Sequence, residues 1–222
     1  MGDYKLDKTF SFEERGIQFL KSIGFNIESN NMGEENKTKT DYKILKNKTD
    51  VNKGFFFVDF QFSSDFALYG DIRVDIISAY YKKDYKANND IYQSLKKDLK
   101  IFNLEKAKEE LENIVEVKKY GKLFDEELNS ILFFIFNKNE KSINENDIPD
   151  IITIIPRKTI LKFLELYPNK FLKSIKFNDK SEVKDAHGSA FITVPLSALY
   201  SIEPFFIVYS HDIKKSFMKQ FS

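Results

Sequence analysis

The sequence predicts one α/β (α+β) domain, a single domain with a mixed, partly antiparallel central sheet flanked by helices. The chain of 222 residues is long enough to bury a core. Apolar residues make up 42% and aromatic residues 15%, which argues against disorder. Short apolar runs alternate with segments of helical period and do not repeat, which is typical of a sheet with flanking helices. A polar stretch at residues 138–147 is the one plausible seam.

The first predicted element is a helix from about Phe12 to Ile23. Ser11 and Glu14 have the spacing of a capping box, and Gly24 follows the last apolar residue of the pattern. The polar residues 28–40 are predicted to form a surface loop.

Two long strands, Phe55–Ser63 and Asp71–Tyr80, are predicted to form the centre of the sheet, because polar and apolar residues alternate along both. A hairpin of these two strands would place three pairs opposite one another: Asp59 and Asp75, Gln61 and Arg73, Ser63 and Asp71. Opposed carboxylates repel, so this register requires a cation, a proton or the Arg73 guanidinium between them.

The remaining elements follow from the same patterns. Further helices are predicted at Ile91–Phe102, Leu104–Lys119, Asp125–Ser130, Thr159–Leu166 and His211–Phe221, with a helical turn at Leu196–Tyr200. Further strands are predicted at Asp41–Leu45, Ile131–Asn137, Asp150–Ile155, Ser174–Asn178, Ala190–Val194 and Pro204–Ser210.

The composition and the lengths of the apolar runs argue against several kinds of site and against a membrane or secreted location. The chain has no cysteine, which excludes disulfides and thiolate sites. The 35 basic and 34 acidic residues leave a net charge of +1, so any nucleic-acid binding would need a local basic patch. The first ten residues show no signal peptide, and the longest apolar run, Ile131–Phe136, is far shorter than the ~20 residues of a membrane span. We therefore expect a cytoplasmic protein without a membrane partner.

The common catalytic motifs are also missing. The chain has no glycine-rich phosphate loop, no dinucleotide fingerprint and no nucleophile elbow. Its two histidines, His187 and His211, do not lie in a zinc-binding motif. Carboxylates are therefore the candidate catalytic groups, and Mg²⁺ is the cofactor that oxygen ligands favour.

Four of these polar residues occur in a suggestive order: Glu14 on the first helix, Asp41 at the start of a strand, then Asp59 and Gln61 on an apolar strand. This order resembles the PD-(D/E)XK nuclease superfamily, which includes many restriction enzymes and Holliday-junction resolvases. Thr40-Asp41 is similar to the "PD" step, and Val58-Asp59-Phe60-Gln61 is similar to the strand that carries the second motif. The resemblance covers about residues 11–80.

The resemblance implies a role for each residue. Asp41 and Asp59 would ligate Mg²⁺, and Glu14 would assist through water. Gln61 replaces the family's lysine, so either Gln61 or Lys43 would orient the attacking water. Each acid also has a structural interpretation, as a capping residue, a loop acid or part of a solvated strand face.

A candidate nucleic-acid contact follows the second long strand, where aromatic and basic residues interleave. Rings can stack on bases while cations meet phosphates. The candidate residues are Tyr81, Lys82, Lys83 and Lys86, together with Arg73 within the strand. The alternative is an amphipathic loop in a lysine-rich chain.

The sequence thus predicts a Mg²⁺-dependent endonuclease-like protein that cleaves DNA phosphodiester bonds. One alternative is a non-catalytic phage, plasmid or defence accessory protein that binds nucleic acid or a protein partner. Another is a carboxylate-based hydrolase of a small phosphate substrate.

Overall fold

The structure is a computed structural model that describes residues 17–18, 20–22, 24–29, 42–45, 55–64, 66, 70–81, 98–139, 142–143, 147, 149–178 and 188–209. No helix within these ranges is long and apolar enough to cross a membrane.

The described residues contain ten strands: β1 Asn26–Ser29, β2 Tyr42–Leu45, β3 Phe55–Ser63, β4 Asp71–Tyr81, β5 Glu116–Tyr120, β6 Ser130–Ile135, β7 Ile151–Pro156, β8 Ile175–Asn178, β9 Gly188–Pro195 and β10 Phe206–Tyr209. Besides the helical residues 17–18 and 20–22, they contain the α-helices α1 Leu104–Ile114, α2 Arg157–Leu166, α3 Pro168–Lys173 and α4 Leu196–Ile202. A 3₁₀ turn spans Lys122–Phe124.

The chain forms two compact units. Unit 1 takes in the described parts of Met1–Gly70, Glu127–Arg157 and Phe205–Ser222, and unit 2 takes in those of Asp71–Glu126 and Lys158–Pro204. The predicted seam at residues 138–147 falls within unit 1. The single-domain organisation stays a prediction.

Unit 1 contains a six-stranded mixed sheet with the order β1-β2-β3-β6-β7-β10. Strands β3 and β6 run parallel, and the other neighbours run antiparallel. One face of this sheet carries the core of the unit, which buries Ile17, Leu20, Ile27, Val58, Leu132, Phe134, Phe136, Ile143, Ile152 and Ile154.

The predicted first helix is present where the chain is described, at residues 17–18 and 20–22. It ends as the sequence indicates. Gly24 has a φ of +101°, its N–H donates to the Lys21 carbonyl (3.1 Å), and the Phe25 N–H donates to the Leu20 carbonyl (3.0 Å). These two bonds form a Schellman motif, in which glycine is favoured because φ is positive.

Unit 2 contains a four-stranded antiparallel sheet with the order β5-β4-β9-β8. The alternation predicted for β4 is present: Ile72, Val74 and Ile76 are fully buried, while Asp71, Arg73 and Asp75 are half-buried. Ile77 is also fully buried, since a register irregularity follows Asp75 in the pairing with β9.

The predicted α/β class with a mixed, partly antiparallel sheet is confirmed, but the strands form two sheets instead of one. The predicted strands in the second half of the chain are all present with boundaries shifted by a few residues at most. Helix α3 was not predicted, and the predicted helix His211–Phe221 lies outside the described residues.

The predicted hairpin between β3 and β4 is wrong, and so are its pairs Asp59–Asp75, Gln61–Arg73 and Ser63–Asp71. Strand β3 bonds to β2 on one edge and to β6 on the other, which leaves no edge for β4. Beyond the strand ends, the Phe136 N–H donates to the Ser63 carbonyl (2.8 Å), which extends the parallel pair. The β4 residues instead pair with β9: Asp71 with Pro195, Arg73 with Thr193 and Asp75 with Phe191.

Three helix predictions also need correction. The helix predicted at Leu104–Lys119 ends at Ile114, and Glu116–Tyr120 forms β5 because it pairs with the free edge of β4. The helix predicted at Ile91–Phe102 is not helical over the described residues 98–102, and residues 125–130 form a bend leading into β6 instead of a helix.

Candidate functional site

The backbone register of β2 and β3 brings together the two segments that carry the predicted acids. The strands are antiparallel, with Tyr42 opposite Val58 and Lys43 opposite Phe57. Asp41 precedes Tyr42 in the chain, and Asp59 follows Val58. Glu14 and Asp41 lie outside the described residues, and for Lys43 and Asp59 the structure gives the backbone alone.

Gln61 and Ser63 are the polar residues of β3 whose side chains are described, and both are buried. Gln61 is 7% exposed and Ser63 is 0% exposed. In the parallel register Gln61 lies beside Phe133 and Ser63 beside Ile135, both of them buried. Two polar side chains therefore follow one another on a sheet face whose neighbouring strand is apolar.

The buried hydroxyls of Ser63 and Thr153, on the same face of the sheet, differ in their hydrogen bonds. Ser63 Oγ has no hydrogen-bond partner among the described residues. The Thr153 Oγ1 donates to the Phe206 carbonyl (2.6 Å). Because buried hydroxyls are nearly always bonded, the Ser63 hydroxyl is unusual.

The described side chains do not by themselves form a metal centre. Among them there is no group of three or more histidines, aspartates or glutamates that could hold a metal ion. The two residues proposed as ligands, Asp41 and Asp59, are not among those side chains.

The acids of β4 lie in the four-stranded sheet, whereas Asp59 lies on β3 in the six-stranded sheet. Burial raises the pKa of the Asp71 carboxyl, and the charge of Lys170 partly opposes this shift. The Arg73 guanidinium carbon lies 5.2 Å from the centre of the Phe191 ring, on the neighbouring strand β9. Arg73 therefore does not relieve repulsion between Asp59 and Asp75, as the hairpin would have required.

Two of the predicted nucleic-acid contacts, Arg73 and Tyr81, lie on β4. They are eight positions apart on the extended strand, about 26 Å at ~3.3 Å per residue. Lys82, Lys83 and Lys86 lie outside the described residues. Tyr81 has a cationic neighbour that the sequence pattern did not reveal, because Lys118 Nζ lies 5.2 Å from the centre of its ring.

A second cluster of aromatic and charged side chains was missed because β5 was predicted to be helical. Lys108 Nζ on α1 lies 5.3 Å from the Tyr120 ring centre and 5.9 Å from that of Phe124. The Tyr120 hydroxyl donates to Glu112 Oε1. Burial and this carboxylate raise the pKa of Tyr120. The short alternation of apolar and polar residues at Val115-Glu116-Val117-Lys118 was the signal that could have indicated a strand.

Comparison with known proteins gives no relative. The chain matches no protein-family model, no curated protein and no solved structure.

Proposed function

We propose that the protein is a Mg²⁺-dependent endonuclease-like enzyme that cleaves DNA phosphodiester bonds at a site formed by β2 and β3. Asp41 and Asp59 are the proposed metal ligands. Glu14 is proposed to act through a water molecule.

The pairing of Tyr42 with Val58 is the observation that carries the proposal. Asp41 precedes Tyr42 and Asp59 follows Val58 in the chain. Continuing the antiparallel register by one step would make Asp41 and Asp59 opposed residues, for which Cβ atoms are ~4.5–5.5 Å apart. Two carboxylates at that separation repel one another unless a cation lies between them. This arrangement favours a divalent ion with oxygen ligands.

The burial of the sheet next to this position supports a role for Gln61. Strand alternation assigns residues 59 and 61 to the same face, and Gln61 is almost fully buried. An amide in such a place can hold a water molecule in one orientation, which is the function proposed for it. Lys43, one step along β2 from Tyr42, is the alternative cationic residue.

The donor set fits the cation. Two carboxylates with a neighbouring amide supply oxygen ligands, and Mg²⁺ usually takes only one or two carboxylates from the protein. When bound, the ion would lower the pKa of a coordinated water molecule and stabilise charge on the scissile phosphate. The residues of this chain position the water and the ion.

The cleavage experiment compares one substitution at two positions. Asp59→Asn should lower Mg²⁺-dependent cleavage of DNA at least about a hundredfold. Loss of a residue that only supports a metal ligand already lowers metal affinity or activity about 10–100-fold. Asp75→Asn is the matched control, because Asp75 lies on β4 in the other sheet. It should retain wild-type cleavage.

Two results would contradict the proposal. One is cleavage by Asp59→Asn at the wild-type rate. The other is the absence of metal-dependent cleavage by the wild-type chain on single-stranded and duplex DNA.

The alternative function is binding without cleavage. The contact between Lys118 and Tyr81 favours it, since an aromatic ring with an adjacent cation suits a nucleic-acid strand. Salt-sensitive DNA binding that Tyr81→Ala weakens, together with no cleavage, would support this alternative.

A further inference from the structure

Ser63 carries a buried hydroxyl that the fold does not use among the described residues. Its side chain is 0% exposed, and Oγ has no hydrogen-bond partner within the described part of the chain. A buried hydroxyl without a partner destabilises a protein, so a residue such as alanine would suit the fold better at this position.

The position of Ser63 links it to the proposed site. Ser63 is two residues beyond Gln61 and four beyond Asp59 on β3, so the three positions share one face of the strand. The neighbouring positions on β6 are occupied by Ile131, Phe133 and Ile135, which are all fully buried. Gln61 and Ser63 thus form a row of polar residues on β3 that begins two positions after Asp59. The neighbouring residues on β6 are apolar.

We propose that Ser63 is a positioning residue of this site, whose hydroxyl binds an ordered water molecule beside Gln61. The proposal rests on the function proposed above. About 7 Å of strand separates residues 61 and 63, a span that one water molecule between two polar side chains can bridge. Water bonded to Ser63 would fix the orientation of the Gln61 amide, which in turn would orient the attacking water.

A pair of substitutions separates this role from a structural one. Ser63→Ala removes a hydroxyl without a described partner, whereas Thr153→Val removes the hydroxyl that donates to the Phe206 carbonyl on the same sheet. The urea midpoint of unfolding should stay nearly unchanged for Ser63→Ala, because a bond to an ordered water molecule adds little to stability, and should fall for Thr153→Val. A hydroxyl that holds the fold together would give a fall for both.

The kinetic measurement uses the same Ser63→Ala variant with DNA and Mg²⁺. We expect kcat to fall about tenfold, as for residues that orient a ligand, with KM for DNA unchanged. A kcat equal to that of the wild type, or a urea midpoint that falls as it does for Thr153→Val, would overturn the role of Ser63. Absence of metal-dependent cleavage by the wild-type chain would overturn the proposed function and this role together, so the two failures are distinguishable.

Discussion

The two described polar side chains of β3, Gln61 and Ser63, differ in how far the sequence alone predicts their surroundings. Gln61 was a candidate from its place two residues after Asp59, and the structure adds that it is almost fully buried. The sequence could not predict this burial, because it depends on β6, which lies about seventy positions away and pairs beside Gln61. The sequence predicts only that Ser63 lies opposite Asp71, whereas the structure pairs Asp71 with Pro195.

Gly121 supports a specific prediction about the fold. A Cβ atom at this position would lie 2.6 Å from the carbonyl carbon and oxygen of Asp75, which are backbone atoms of β4 and cannot move aside freely. The Gly121 N–H also donates to the Ile76 carbonyl (2.9 Å). Gly121→Ala should therefore lower the free energy of unfolding by about 1–3 kcal/mol.

Urea denaturation measures this change, and Lys119→Ala is the control. Lys119 is exposed on β5, two residues before Gly121, so its truncation should alter the free energy of unfolding by less than about 0.5 kcal/mol. Equal stability of Gly121→Ala and the wild type would show that the two backbones do not approach so closely.

At the scale of the elements, a contact between α2 and the end of α4 predicts a pH dependence. Lys158 Nζ lies 2.7 Å from Glu203 Oε1, and Thr159 Oγ1 donates to Glu203 Oε2 (3.1 Å). The bond from Lys158 is the main reason that the pKa of Glu203 is lowered from 4.5, and the bond from Thr159 and the charge of Lys162 act in the same direction.

A carboxyl group with a lowered pKa in the folded state stabilises that state at pH values above its unfolded pKa, and the stabilisation is lost as the pH falls through the folded pKa. Glu203→Gln should therefore lower Tm modestly at pH 7, and the difference from the wild type should shrink as the pH falls below about 4.5. Glu165→Gln on the exposed face of α2 is the control. A Tm difference for Glu203→Gln that does not change with pH would contradict the ion pair.

Among the helices and strands, some sequence patterns were sufficient to predict the element and others were misleading. The end of the first helix was predictable because Gly24, which follows it, adopts a positive φ that other residues rarely tolerate. Strand β5 was mistaken for helix because glutamates and lysines at helical spacing continue through it from α1. Its strand conformation comes from pairing with β4, which overrides this local preference.

At the scale of the whole molecule, the α/β class was predictable and the division into two sheets was not. Alternation shows that β3 and β4 are strands, but it does not specify which strands lie beside them. Seven residues separate the two strands, without the two-residue turn that would indicate a hairpin. The pairing is decided by β6 and β9, which come later in the chain and occupy the edges of β3 and β4.

The pairing of β2 with β3 replaces the predicted hairpin as the basis for the candidate site. The hairpin would have placed Asp59 opposite Asp75, whereas the observed register pairs Tyr42, which follows Asp41 in the chain, with Val58, which precedes Asp59. The central claim is that Asp41 and Asp59 together bind a divalent cation.

Calorimetric titration of the full chain with Mg²⁺, repeated with Mn²⁺, tests this claim most directly. We expect the wild type and Asp75→Asn to bind one ion at millimolar concentration or below. Asp41→Asn and Asp59→Asn should each weaken binding at least about a hundredfold, with thermal unfolding used to verify that both variants fold. No binding by the wild type at millimolar metal, or equal binding by all four proteins, would contradict the claim.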